Sequence, residues 1–68
     1  MTTEVDRAIA RINQCLSANY LPEGVEFWMN AMNRNLGMQR PADLIASGRL
    51  SDVSAVLAEA ERLAEGAW

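Results

Sequence analysis

Val5, Ala8, Ile9, Ile12, Cys15 and Leu16 place apolar side chains at spacings of three and four, the spacing that lines one face of an α-helix. The end of the chain repeats the pattern with Val53, Val56, Leu57, Ala60, Leu63 and Ala64. Between these stripes, Pro22, Gly37, Pro41 and Gly48 punctuate shorter apolar runs in the way that helix starts and stops do. No segment alternates with period two. The pattern therefore predicts an all-α fold: a small four-helix domain in a chain of 68 residues.

Local signals set the expected boundaries. Thr3 followed by Asp6 reads as a capping box opening helix 1, over about 4–18. Asn19 is expected to close it in a left-handed cap, and Pro22 suits the first turn of helix 2, over about 22–35. Along helix 2, Val25, Trp28, Met29, Met32 and Leu36 form one stripe and Phe27, Ala31 and Met38 another. A helix apolar on more than one side is central in its domain or covered by a partner. Gly37 stops it. Pro41 opens a short helix 3, over about 41–47, with Leu44 and Ile45 inward and Gly48 as terminator. Ser51 is the expected N-cap of helix 4, over about 51–65, which Gly66 ends, leaving the tail 66–68.

A chain of this length buries only about 60% of its unfolded surface, so it needs staples or partners. One cysteine, Cys15, and no histidine leave no disulfide framework and no familiar zinc ligand set. Half of the residues are apolar, a share that points to an interface, and self-association as a homodimer or a protein partner is the expectation. Catalysis lacks an inventory. With neither histidine nor lysine, Asp43, Asp52, Glu59 and Glu61 would work alone and unpaired. No catalytic, cofactor-binding or metal-binding residue is predicted, and no cofactor. Glu59 and Arg62 read as a solvated helix pair, and Cys15 as an inert thiol on an apolar face.

Charge is unevenly spread over a net of −3. Glu4, Asp6, Glu23 and Glu26 outweigh Arg7 and Arg11 up to residue 26, whereas Arg34, Arg40 and Arg49 outweigh Asp43 from 27 to 51. The remainder is acidic again. Two tandem helices joined by a tight turn resemble a helix-turn-helix, which keeps a small DNA-binding or regulatory protein as the alternative. A recognition helix bearing Asp52, Glu59, Glu61 and Glu65 would be repelled by phosphate, so DNA is not favoured. No apolar run reaches membrane-spanning length and no signal-peptide layout opens the chain. A cytosolic protein with no membrane contact is the expectation.

From Trp28 to Gly66 the sequence resembles the C-terminal toxin-binding domain of the Xre/MbcA/ParS-like antitoxins. The residues that carry the resemblance are Trp28, Asn33, Leu36 and Gly37, then Arg40, Pro41, Asp43, Leu44 and Ile45, then Gly48, Val53 and Leu57. Two features depart from the family pattern. Met38 stands where the family usually has a second glycine, and only helix 1 occupies the place of the usual N-terminal DNA-binding region.

The resemblance implies protein recognition, not catalysis. Such antitoxins neutralise RES-type toxins, enzymes that consume NAD or use it for ADP-ribosylation, by covering the toxin and placing a C-terminal tail at its active-site entrance. The implied contacts here are helix 4 and the tail: Arg49, Arg62, Gly66, Ala67 and Trp68. Trp68 either plugs the toxin, as a hot-spot tryptophan, or folds back on its own domain. Trp28 is expected in the core, holding the module together. Met29, Met32 and Met38 fill the core or form an adaptable binding surface. An oligomerisation module, in which helices 1 and 2 pair between copies, is the third alternative.

Overall fold

The computed structural model describes residues 3–65, and among them the fold is all-α. Four α-helices follow one another: α1 (Glu4–Asn19), α2 (Pro22–Asn30), α3 (Pro41–Ala46) and α4 (Leu50–Ala64), with a 3₁₀ turn at Arg34–Leu36 between α2 and α3. α1 starts where the capping box expects. The Asp6 N–H donates to the Thr3 hydroxyl at 3.1 Å and the Thr3 N–H to the Asp6 carboxylate at 3.4 Å. Two orphan amides are thereby satisfied reciprocally.

α1 packs chiefly along α4. Ala8, Ile12 and Leu16 from α1 meet Val53, Val56 and Ala60 from α4 in one core, closed by Leu36 and Leu44. These are the positions that the three-and-four spacing selects. Val25, Trp28 and Met29 of α2 pack against that core half-buried, and α2 has no fully buried residue.

Helix 2 ends earlier than the sequence suggests. It stops at Asn30 rather than near residue 35, because the Asn30 side chain donates to the Glu26 carbonyl at 2.8 Å and Ala31 turns extended. Asn33 then pairs with Gln39 in an isolated antiparallel bridge, and its side chain accepts from the Asn35 N–H at 2.9 Å. Asparagines compete with helical hydrogen bonding in this way. Met32 and Leu36 consequently do not continue the stripe of Val25, Trp28 and Met29. Leu36 is buried from the 3₁₀ turn, and Met32 faces outward.

Two caps also differ from expectation. Asn19 stays helical and donates to the Cys15 carbonyl at 2.9 Å, while Tyr20 forms the extended C-cap of α1. Arg49, not Ser51, is the N-cap of α4 and caps it without a side-chain hydrogen bond. Ser47 does the work at that corner. Its hydroxyl bonds the Leu44 carbonyl at 2.6 Å and the Asp52 carboxylate at 2.9 Å and accepts from the Arg49 N–H at 3.2 Å. Gly48, at φ 71°, makes the left-handed step that terminates α3. The expected stop at Gly66 lies outside the described residues.

Candidate functional site

α4 carries the two arginines expected to meet a partner, at opposite ends. Arg49 is its exposed N-cap and Arg62 lies in its last turn, so at 1.5 Å per residue they are about 20 Å apart. The helix does not bring them together. Gly66, Ala67 and Trp68, the rest of the expected contact set, lie outside the described residues.

Arg62 is held by Glu59. Its guanidinium contacts both oxygens of the Glu59 carboxylate, and the Asn35 side-chain amide donates to Glu59 Oε1 at 2.8 Å. Glu59 is only 9% exposed, so this is not the solvated pair the i, i+3 spacing suggests. It is a tie between the 3₁₀ turn and α4. Hydrogen bonding from Arg62 is the largest cause of a Glu59 pKa below its ordinary value; burial opposes it, and the Asn35 amide reinforces it. The same carboxylate holds the Arg62 guanidinium above its ordinary pKa. Arg11 on α1 and Glu61 on α4 form a second, exposed ion pair at 3.6 Å.

The residues that carry the family resemblance have structural positions. Trp28 sits on the inner face of α2 against the core. Leu36, Pro41, Leu44 and Val53 are buried. Asn33 organises the turn between α2 and α3, accepting from Leu36 and Met38 through its carbonyl at 3.0 and 2.9 Å. Gly37 and Met38 follow one another in the left-handed region, at φ 68° and 62°. The loop thus adopts at Met38 a conformation that glycine takes without strain.

The exposed surface holds more apolar side chains than α4 and the tail suggest. Phe27 is 77% exposed, Leu21 73%, Met32 63% and Met38 57%, with Tyr20 and Leu50 also outward. On α2 the outward face is Glu23, Glu26, Phe27 and Asn30, an i, i+3, i+4, i+7 set. A shallow groove lined by Ser17, Tyr20, Pro22, Val25 and Glu26 lies beside it. The second apolar side of helix 2 was legible in the sequence through Phe27, but Leu21 and Tyr20 were not assigned to a surface. Their signal is the turn Asn19–Pro22, where neither side chain has a helical face to join.

Cys15 is half-buried against the core. Among the described residues no group of three or more Cys, Asp or Glu side chains is placed to hold a metal ion, and no helix is long and apolar enough to cross a membrane.

No protein-family model and no solved structure matches the sequence. Over 53 residues, however, the chain is 43% identical to the probable mycobacterial cidal antitoxin Rv3188 of Mycobacterium tuberculosis (strain ATCC 25618 / H37Rv). The match takes in 78% of this chain but 44% of that protein, so the chain spans less than half the length of the curated relative it matches. A small all-α domain with apolar side chains left on its surface, and a sequence similar to part of an antitoxin, together support an antitoxin-like family for this chain.

Proposed function

We propose that this chain is the toxin-binding part of an antitoxin, a non-enzymatic module that neutralises a RES-type toxin consuming NAD or using it for ADP-ribosylation. The observation that carries the proposal is the 43% identity to a probable antitoxin over 78% of the chain. The toxin is met through α4 and the tail, with Arg49 and Arg62 as charged contacts and Gly66, Ala67 and Trp68 at the toxin's active-site entrance. The binding form is a homodimer.

A polar rim around apolar anchors is the usual layout of such an interface. The test is a pull-down from the source cell's lysate read by mass spectrometry, comparing the full chain with one stopped after Glu65. Recovery of an NAD-consuming or ADP-ribosylating enzyme by the full chain alone is the expected result. With the toxin in hand, Trp68→Ala should weaken binding by about 2 kcal/mol, about thirtyfold in Kd. Retention of nucleic acid by both forms, with no enzyme, would instead place the module in gene control.

A further inference from the structure

The groove beside α2 is walled from two sides of the turn between α1 and α2. Ser17 and the C-cap Tyr20 come from the end of α1, and Pro22, Val25 and Glu26 from the first turns of α2. The Tyr20 side chain lies along Gly24: a Cβ built there would stand 3.5 Å from Tyr20 Cβ and 3.9 and 4.0 Å from its ring atoms Cδ1 and Cγ. The ring is thus seated against the start of α2, yet Tyr20 stays 42% exposed. Glu26 is exposed. Among the described residues, neither Glu26 nor Glu23, three residues earlier, takes part in an ion pair. At about 340 Å³ the groove stands near the lower bound of small-ligand clefts, room for one long side chain rather than a helix.

Apolar lining, an open aromatic ring and unneutralised carboxylates together select a guest. Arginine has an apolar stem, a planar cation that stacks on tyrosine and a fork of donors that matches a carboxylate. Lysine brings a compact, strongly hydrated charge and stacks poorly. The wider charge agrees: residues 1–26 carry Glu4, Asp6, Glu23 and Glu26 against Arg7 and Arg11, and Arg11 is already paired with Glu61.

We propose that this groove is a docking site for an arginine side chain of a partner protein, its stem along Pro22 and Val25, its guanidinium against the Tyr20 ring and its donors on Glu26. From Arg11, the residue of α1 that reaches the end of α4, to Ser17 is about 9 Å along the helix. The groove therefore goes beyond the toxin contact proposed for α4 and the tail and does not rest on it.

Nuclear magnetic resonance titration of the isotope-labelled full chain tests the proposal, with the capped tripeptides Ala-Arg-Ala, Ala-Lys-Ala and Ala-citrulline-Ala as probes. The arginine peptide should move the resonances of Tyr20, Gly24, Val25 and Glu26 saturably, with a Kd on the order of 1 mM. Citrulline has nearly the same shape without the charge and should bind about tenfold more weakly. Glu26→Gln should weaken the arginine peptide about fivefold and leave the citrulline peptide unchanged. Tyr20→Leu keeps an apolar wall without the ring and should abolish the preference for arginine over lysine. Shifts that do not saturate, equal binding of arginine and citrulline, or a Glu26→Gln variant that binds like the wild type would overturn the proposal. So would movement of the same resonances on diluting the chain alone, which would mean that a second copy fills the groove. The toxin pull-down stands or falls separately from all of these outcomes.

Discussion

At the scale of single residues, Met38 departs from its neighbours. It is the one non-glycine residue with positive φ among the described residues, immediately after Gly37, and the sequence departs from the family pattern at that same place. Left-handed geometry strains a side chain by about 1–2 kcal/mol, while glycine's extra freedom in the unfolded chain costs about 0.5–1 kcal/mol. Met38→Gly should therefore stabilise the domain by about 0.5 kcal/mol, read as a higher urea midpoint with an unchanged slope. Gly48 offers the converse. A Cβ there meets nothing within 4 Å, so Gly48→Ala isolates the backbone effect and, by the same difference, should destabilise by about 0.5 kcal/mol.

At the scale of elements, the contact that seats the 3₁₀ turn on α4 is the Asn35–Glu59–Arg62 cluster. Glu59 has a lowered pKa in the folded chain, so its charged form is favoured by folding. The stability this confers is fully present above its ordinary value of 4.5 and is lost as pH falls through the lowered folded value. Glu59→Gln keeps an acceptor for Asn35 but removes the charge, and should cost about 1–2 kcal/mol at neutral pH. Urea titrations from pH 7 to pH 3 should show the gap between wild type and variant closing on the acid side. A constant gap would mean that the carboxylate's charge contributes nothing to the tie. The spacing of Glu59 and Arg62 was legible in the sequence. The burial of Glu59 was not, because it depends on Asn35, which reaches it from a different element.

At the scale of the whole molecule, stability is uneven. α1 and α4 bury Ile12, Leu16, Val53 and Val56 almost completely, whereas α2 contributes only half-buried side chains. Local opening follows buried contact. Amide hydrogen exchange should accordingly be slowest around residues 12–16 and 53–60 and fastest in α2 under conditions where the chain is monomeric. If α2 is protected as strongly as α1 in a monomer, its weak burial does not govern its stability.

The helices themselves were determined by the sequence alone. The three-and-four periodicity, the Thr3–Asp6 box and the starts at Pro22 and Pro41 act through groups within one or two turns of each other, and local forces need no tertiary partner. The same holds for the stop at Gly48. Only the tertiary structure decided that α2 ends at Asn30, that Leu36 enters the core from a 3₁₀ turn while Met32 stays outside, and that Glu59 is buried. The apolar residues of helix 2 fit a longer helix equally well by period. Between the two conformations, the choice fell to the Asn33–Gln39 bridge within the turn and to Asn35 bonding Glu59, 24 residues away, a contact that exists only once α4 is in place.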